Sequence, residues 1–319
     1  MNIIKPNVEI INEPGLLERI EIAGRTAYKS EDKICDGSAK KFFKSLVSRG
    51  HESVLEHSNI IVYAQNDETC NHLLEILQEY ERETDIPHFI RNSNTKTDVI
   101  IDGDVYQYDS IFSGNLRAWR SLVKRYCCEE VFIRLFFGRF EFEDIFSKVT
   151  PPLTELDYKE TRYADNAQAE ILPYAPGKIH NIITARFICS RGISHELVRH
   201  RLLSPTQEST RYVRYNDLTI IEPWWYNQIS FNNYDVHRAT FLNSGLNAET
   251  NYKHYIDYGM PPQGARDCLN TGTKTEVVMT GTIAAWERFV ELRDANGAHP
   301  DVIVLAKMFR EVSGIDEWE

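Results

Sequence analysis

One segment of the chain, RHRLLSPTQESTRYVRY (residues 199–215), concentrates side chains that could bind a charged ligand. It begins with Arg199-His200-Arg201 and reaches Ser209 after seven further residues. Arginine presents a rigid, planar set of donors that can hold two phosphate oxygens or the edge of a pyrimidine at once. The density of guanidinium, hydroxyl and amide groups therefore predicts a site for a phosphorylated, planar ligand.

The composition limits the class of protein to which this segment belongs. Of 319 residues, 42% are hydrophobic and 26% are charged, as in soluble globular proteins. The formal net charge of −11 argues against broad nucleic-acid binding and favours one focused anion site. There is no run of about 18 apolar residues. The N-terminal stretch MNIIKPNVEIINEPG also lacks the apolar core of a secretory signal. We therefore expect no membrane association and a cytoplasmic location.

The cysteines give no sign of a metal site or of a disulfide framework. The sequence contains six, with no CxxC pair and no Cys/His cluster at zinc spacing. Reduced thiols are the expectation, and no metal is predicted.

The elements around the basic segment decide how its side chains can converge. Residues 178–190 alternate as in a strand, and Ser194 is predicted to be the N-cap of a helix that runs to about Leu203. Pro205 disfavours a helical conformation for the residue before it and so ends that helix. On such a helix Glu196, Arg199 and His200 would share one face.

The last third of the chain predicts a strand followed by two helices. The strand covers residues 275–280, and the first helix covers residues 283–292 and is closed by Arg293. His299 is predicted to be the N-cap of the final helix, in which Pro300 occupies the first turn.

The remaining pattern divides the chain into two regions. Residues 1–64 and 178–319 are interpreted as one catalytic domain, with a buried strand at residues 59–64. Residues 65–177 are interpreted as an inserted subdomain of unknown role, which includes helices over residues 71–80 and 116–131. One internal echo links the two regions, because SGNLRAWRSLVKRY (113–126) resembles TGTIAAWERFVELR (280–293).

The order of these motifs resembles the flavin-dependent thymidylate synthases, which are marked by RHR, seven arbitrary residues and then Ser. Three flanking stretches support the resemblance: HESVLEH (51–57), RGISHELVRHR (191–201) and the block from ARDCLNTGT to AHP (265–300). The resemblance covers about residues 1–64 and 178–315.

The resemblance implies a fold, a reaction and an assembly. The fold is mixed α and β, with a twisted, mainly antiparallel sheet flanked by helices. The reaction is the reductive methylation of dUMP to dTMP, a step of nucleotide biosynthesis. Methylenetetrahydrofolate supplies the carbon, and FAD reduced by NADPH supplies the hydride. The family forms homotetramers whose active sites are shared between subunits.

The resemblance also assigns site residues. The flavin contacts that it implies are His51, Ser53, Arg199, His200, Arg201, Gln207, Thr282 and Arg288. The nucleotide contacts that it implies are Glu196, Arg199, Gln207, Glu208, Ser209, Arg211, Arg266 and Arg293. Among these, Arg293 would polarise the uracil ring and Ser209 would position the ligand, while Glu208 could instead organise the loop.

The chain departs from the family pattern where an Asn, an Arg and a further polar residue usually bind flavin. Thr282, Ala284 and Arg288 occupy those places. One hypothesis is that Asn115 and Arg117 of the echo supply the missing contacts. Two other functions stay open: transfer of a hydroxymethyl group to a pyrimidine nucleotide, and nucleotide binding without turnover.

Overall fold

A computed structural model gives the three-dimensional structure. It describes residues 1–12, 15–64, 67–83, 91–93, 97–101, 104–126, 130–132, 135–136, 145–146, 169–172 and 175–318. The chain divides into two compact units, residues 1–38 with 182–319 (unit 1) and residues 39–181 (unit 2). The functional division predicted from the sequence, an insertion over 65–177 in a domain of 1–64 and 178–319, stays a prediction.

The described elements are as follows in chain order. The strands are β1 (Asn2–Ile4), β2 (Asn7–Ile10), β3 (Asn59–Ala64), β4 (Arg91–Ser93), β5 (Thr97–Ile101), β6 (Asp104–Tyr108), β7 (Ser110–Asn115), β8 (Ala169–Leu172), β9 (Ile182–Ser190), β10 (Ser204–Gln207), β11 (Thr219–Ile221) and β12 (Lys274–Thr282). The α-helices are α1 (Leu16–Tyr28), α2 (Ser38–Ser48), α3 (Asp67–Glu83), α4 (Leu116–Arg125), α5 (Glu130–Phe132), α6 (Arg191–Leu197), α7 (Tyr234–Asp257), α8 (Pro262–Ala265), α9 (Ile283–Arg293) and α10 (Pro300–Ser313). Short 3₁₀ helices cover Glu31–Lys33, Glu52–His57, Arg266–Cys268 and Ile315–Glu317.

Unit 1 is built on a four-stranded antiparallel sheet in the order β10–β12–β9–β2, and β1 pairs in parallel with β11. One face of β9 is buried under α9 and α10. Phe187 of β9 stacks on Trp286 of α9 at 5.9 Å between ring centroids, and Trp286 stacks on Phe309 of α10 at 4.1 Å. Burial of such a side chain contributes about 1.5–3 kcal/mol, so this aromatic layer fixes both helices to the sheet.

Unit 2 contains a second four-stranded antiparallel sheet, in the order β4–β7–β3–β8, and a separate hairpin of β5 and β6. Helix α4 follows β7 directly. Asn115 caps α4, because its side chain accepts a hydrogen bond from the backbone N–H of Ala118 at 2.8 Å. The fully buried Trp119 of α4 donates its indole N–H to the carbonyl of Ile60 on β3 at 3.1 Å.

The predicted fold class is confirmed, since helices flank antiparallel sheets in a mixed α and β structure. The strand over residues 59–64 and the helix that Arg293 closes are confirmed, and so is His299 as the N-cap of α10. Among the described residues, no helix is both long enough and apolar enough to cross a bilayer.

Three predicted elements have wrong boundaries. The strand predicted over 178–190 begins at Ile182, and the helix predicted over 116–131 ends at Arg125. The helix predicted from Ser194 to Leu203 is α6, which starts at Arg191 and ends at Leu197. The cap of α6 is Ser190, whose hydroxyl accepts the backbone N–H of Ile193 at 3.3 Å. The helix begins as soon as β9 ends, because the earlier serine already satisfies the free amides of the first turn.

Candidate active site

The turn after α6 sets the positions of the RHR residues. Arg199 and His200 lie beyond the end of the helix, so the predicted shared helical face of Glu196, Arg199 and His200 is wrong. The chain turns through backbone hydrogen bonds from His200 to Leu197 and from Leu203 to His200, at 3.2 and 3.0 Å. It then enters β10, which pairs with β12. Glu196 and His200 are nevertheless brought together by a third residue.

That third residue is Arg293, at the end of α9. Its Nε donates to His200 Nε2 at 2.7 Å, and its Nη1 donates to Glu196 Oε2 at 2.9 Å. Nη2 also donates to the backbone carbonyl of Glu196 at 3.3 Å. The Arg293 side chain is 19% exposed. The guanidinium is therefore held from two sides and keeps a fixed orientation, as a group that polarises a ligand requires.

The contact with Arg293 also defines the protonation state of His200. Burial, and after it the Arg293 cation, lower the pKa of His200 to about 4, although the Glu196 carboxylate opposes both effects. At neutral pH the imidazole is therefore uncharged. Because arginine can only donate, His200 Nε2 must be the acceptor and the ring proton sits on Nδ1. The ring also packs edge to face on Phe289, with centroids 4.9 Å apart.

Gln207, at the end of β10, is tied to the sheet. Its side-chain nitrogen donates to Ser194 Oγ at 2.9 Å and to Thr275 Oγ1 at 3.1 Å. The amide orientation is thereby fixed on two hydroxyls. Ser194, which is not a helix cap, instead donates its hydroxyl to the carbonyl of Arg191 and supports Gln207.

Glu208 has the structural role that the sequence left open. It is 1% exposed and accepts hydrogen bonds from the hydroxyl of Tyr215 at 2.6 Å and from Lys274 Nζ at 3.0 Å. Burial and the Glu208 charge raise the pKa of Tyr215, so the phenol remains the donor. Both carboxylate oxygens are engaged inside the protein, and the predicted contact of Glu208 with nucleotide stays a prediction.

Ser209 and Arg211 lie on the turn that follows β10. The Ser209 amide donates to the carbonyl of Ala27 at 2.9 Å, so this backbone N–H is used within the protein rather than kept for a phosphate. The Ser209 hydroxyl accepts the Arg211 amide at 3.3 Å, which leaves its own proton to donate. The Arg211 guanidinium lies over the Tyr212 ring, 5.5 Å from its centroid.

Four arginines of the basic segment are available to a ligand. Arg199, Arg201, Arg211 and Arg214 are exposed, and within the described part of the chain none of them forms an ion pair with a carboxylate. In a chain with a net charge of −11, exposed guanidinium groups without acidic partners are the groups expected to bind phosphate.

Three other residues that were predicted to contact a ligand form their hydrogen bonds or ion pairs with partners outside the Arg293 cluster. Arg266 is 45% exposed and has an ion pair with its neighbour Asp267 at 3.9 Å. Thr282 is the N-cap of α9, with its hydroxyl accepting the backbone N–H of Ala285 at 3.3 Å. Arg288 is exposed and pairs with Glu291 at 2.5 Å. Thr282 and Arg288, whose contact with flavin stays a prediction, thus have partners within α9.

His51 and Ser53 belong to unit 2 and are described within it. Both are exposed and flank the start of the 3₁₀ helix Glu52–His57. The backbone N–H of His51 donates to the carbonyl of Leu46 at 3.0 Å. Their predicted contact with flavin stays a prediction.

A cavity of 370 Å³ in unit 1 is lined by Glu196, Trp225, Phe241 and Cys189 among others. It has the mixture of aromatic walls and a few polar groups that small-molecule sites show. Burial raises the pKa of the Cys189 thiol to about 12. This cysteine is therefore protonated at neutral pH and does not act as a nucleophile.

Several contributors to the site left no signal in the sequence. Thr275 and Lys274 reach the basic segment because β12 pairs with β10, and Phe289 reaches His200 because α9 follows β12. Each contact depends on strand register between distant parts of the chain, and no local pattern encodes that register.

Comparisons with known proteins agree with the motif. Residues 179–316 match the family model described as "Thymidylate synthase complementing protein". The match includes the whole RHR segment and Arg293 but leaves out the first copy of the internal echo. The resemblance to flavin-dependent thymidylate synthases predicted from the sequence is thereby confirmed for this part of the chain.

Two curated relatives match part of this chain. The flavin-dependent thymidylate synthase of Mycobacterium avium is 32% identical over 127 residues, which are 37% of this chain and 51% of the relative. That of Geobacter sulfurreducens is 30% identical over 129 residues, which are 40% of this chain and 53% of the relative. The chain thus spans about half the length of the curated relatives that it matches.

A solved structure of thymidylate synthase X from Helicobacter pylori, with FAD and dUMP, covers 41% of this chain and 66% of its own at 19% identity. The TM-score is 0.32, which is too low to support a conclusion about this chain.

Proposed function

We propose that this protein is a flavin-dependent thymidylate synthase. It would convert dUMP to dTMP, with methylenetetrahydrofolate as carbon donor and NADPH-reduced FAD as hydride source. The observation that carries the proposal is the Glu196–Arg293–His200 cluster beside the RHR motif, within the domain that matches the family. The curated relatives are named for this activity, and their names give no support to a hydroxymethylase.

The nucleotide is the ligand that the basic segment fits best. A nucleotide monophosphate is close to a dianion at neutral pH, and exposed Arg211 and Arg199 offer charge-assisted hydrogen bonds to it. The Ser209 hydroxyl keeps a proton to donate, as described above. Arg266 remains a proposed nucleotide contact on the strength of the resemblance.

The same segment fits a flavin dinucleotide. FAD carries a diphosphate, and Arg201 adds a third exposed guanidinium that has no acidic partner among the described residues. The donor set therefore has enough cationic groups for two phosphorylated ligands. FAD supplies the hydride chemistry that side chains cannot. NADPH and the folate are proposed as co-substrates.

Arg293 is the proposed catalytic group. Its guanidinium would polarise the uracil ring and favour its N3-deprotonated form, in which the added electron density makes C5 a better nucleophile. Glu196 and neutral His200 fix its orientation, because Nη1 donates to the carboxylate and Nε donates to the imidazole. Since Cys189 stays protonated, the proposed reaction proceeds without this thiol.

A second candidate function is nucleotide binding without turnover, in a homologue that does not retain flavin. Thr282 serves as a helix cap and Arg288 pairs with Glu291, so two proposed flavin contacts already have partners within α9. A homotetramer with shared active sites is part of the first proposal and not of the second.

The absorbance of the purified protein separates the two candidates. The enzyme should be yellow after incubation with FAD, and its colour should bleach on addition of NADPH under anaerobic conditions. Calorimetric titration should then show binding of dUMP, and Arg211→Met should weaken that binding at least tenfold. The control variant Arg238→Met, on the surface helix α7 of unit 1, should leave it unchanged. A colourless protein that binds dUMP with the same arginine dependence would favour the non-catalytic homologue. No binding of dUMP would contradict both candidates.

A further inference from the structure

The two units contain sheets with the same strand order. Unit 2 has β4–β7–β3–β8 and unit 1 has β10–β12–β9–β2, and every neighbouring pair in both is antiparallel. In both sheets the second strand leads directly into a helix, α4 or α9. Four strands and one helix thus correspond position by position.

The strand-to-helix junctions correspond residue by residue. Gly114 and Gly281 each face an isoleucine of the neighbouring strand, and the next residue in each is the helix cap. These caps are Asn115 and Thr282, and each accepts the backbone N–H of the residue three positions later. The echo between residues 113–126 and 280–293 is therefore an echo of structure as well as of sequence.

A tryptophan on each helix makes the same hydrogen bond. Trp119 and Trp286 both lie four residues after the cap and are fully buried. Trp119 donates to the carbonyl of Ile60 at 3.1 Å, and Trp286 donates to the carbonyl of Ile183 at 2.9 Å. These are the same isoleucines that face the two glycines. A matched side-chain bond at a matched register does not follow from two unrelated amphipathic helices.

The edge strands extend the correspondence and reveal an exchange. NVEII (7–11) contains β2 and QAEIL (168–172) contains β8. Glu9 faces Arg186 on β9, and Glu170 faces Tyr63 on β3. Arg186 and Tyr63 each lie three residues after the isoleucine that accepts the tryptophan bond, so the two registers are equal. Yet the earlier edge strand pairs in unit 1 and the later one in unit 2.

We infer that the chain is a tandem duplication whose copies have exchanged their edge strands. The first copy is residues 7–126 and the second copy is residues 168–293. Such an exchange of identical elements is the arrangement of a domain-swapped dimer, here within one chain. Equivalent buried histidines, His57 and His180, also precede the two isoleucines by three residues and are 0% and 1% exposed.

The first copy has lost the proposed nucleotide residues. Arg91 on β4 faces Ser113 on β7, and Ser204 on β10 faces Thr280 on β12. Because Ser113 and Thr280 both begin the echo, Arg91 corresponds to Ser204. Counting back from that pair, Ile-Pro-His (86–88) stands where the second copy has Arg-His-Arg (199–201). Tyr126 stands where the second copy has Arg293. The domain match beginning at residue 179 agrees with this divergence.

The second copy has lost the residues that resemble flavin contacts upstream of the RHR motif. With His180 aligned to His57, Tyr174 and Pro176 stand at the places of His51 and Ser53. Thr282 and Ala284 likewise stand at the places of Asn115 and Arg117. The losses are complementary, so one chain holds one set of proposed ligand residues and not two. This consequence rests on the proposed function, whereas the exchange of strands does not.

Disulfide trapping tests the exchange. Paired residues on antiparallel strands have Cα atoms about 4.5–5.5 Å apart, within disulfide range. Glu9→Cys with Arg186→Cys should therefore crosslink on mild oxidation, and peptide mapping should locate the bond within a single chain. Glu9→Cys with Tyr63→Cys is the matched control, because these positions would pair if β2 had stayed with its own copy. Crosslinking of the control, or failure of the first pair, would overturn the exchange.

Calorimetric titration of the FAD-incubated full-length protein with dUMP tests the complementary loss. We expect one dUMP per 319-residue chain. Two per chain would show that the first copy has kept a nucleotide site and would overturn that part of the inference. No binding would contradict the proposed function, while the disulfide result would still decide the exchange.

Discussion

The pKa of His200 should rise when Arg293 is replaced by methionine. Burial and the Arg293 cation hold this pKa at about 4, against an ordinary value of 6.5, while Glu196 opposes them. Arg293→Met removes the cation and its hydrogen bond to Nε2 but leaves the Glu196 carboxylate in place. Both changes favour the imidazolium, so the shift should be upward.

The size of the shift follows from the geometry. Two unit charges 4 Å apart interact by about 4 kcal/mol at an effective dielectric of about 20 and by about 1 kcal/mol in water. A pKa unit corresponds to about 1.4 kcal/mol, so the limits are about 1 and 3 units. Because Arg293 and Glu196 are partly exposed, at 19% and 35%, solvent screening moves the expectation to the lower half of that interval.

Heteronuclear NMR titration between pH 4 and pH 8 measures this directly. His200 should remain largely neutral over most of the range in the unaltered protein and should titrate about 1–2 units higher in Arg293→Met. His200→Gln assigns the signal. Arg288→Met is the matched control, since it removes an exposed arginine of the same helix. A His200 pKa that stays at about 4 in Arg293→Met would refute the proposed coupling.

Four further predictions concern stability and follow from single contacts. Trp119→Phe and Trp286→Phe should each lower the free energy of unfolding by about 1–3 kcal/mol in urea, because each loses a buried indole hydrogen bond. A loss of stability at one site and none at the other would contradict their equivalence. Glu208→Ala should cost about 1–3 kcal/mol, because the buried Tyr215 hydroxyl loses its acceptor while Lys274 keeps its ion pair with Glu276. Glu9→Ala at a half-exposed pair should cost under about 1 kcal/mol. Gly281→Ala should cost about 1–3 kcal/mol, because a Cβ there would lie 2.3 Å from Leu203 Cδ2, while Gly192→Ala, with its nearest contact at 3.4 Å, should be tolerated. The lowered pKa of His200 should make stability fall as pH drops from 6.5 towards 4, because the unfolded chain binds the proton more readily, and His200→Gln should reduce that fall.

Local signals in the sequence predicted the elements that depend on local physics. The buried run of β3, the amphipathic helix α9 and the His299 cap were each readable from residue type and period. The start of α6 could not be predicted from residue type and period. Ser190 and Ser194 are both acceptable caps, and only the end of β9, fixed by its pairing with β12, selects the first.

The same contrast between local signals and contacts of distant residues applies to the site. The density of arginines in residues 199–215 is visible in the sequence alone, and the anion site that it indicates stays a prediction. The bond between Arg293 and His200 joins residues 93 positions apart and depends on how α9 lies against the sheet. Periodicity cannot supply such a contact, and here only the family resemblance linked Arg293 to the motif. The equal registers of the two sheets were likewise beyond the sequence, although the echo around Trp119 and Trp286 hinted at them.

Mass spectrometry of the nucleotide product is the most direct test of the proposed reaction. The protein should be incubated with dUMP, methylenetetrahydrofolate, FAD and NADPH, with Arg293→Met and an omission of FAD run in parallel. The account predicts dTMP, heavier than dUMP by one CH₂ group, formed only with FAD and strongly reduced in Arg293→Met. Recovery of unchanged dUMP from a folded, flavin-loaded protein, or of a hydroxymethylated nucleotide instead, would contradict it.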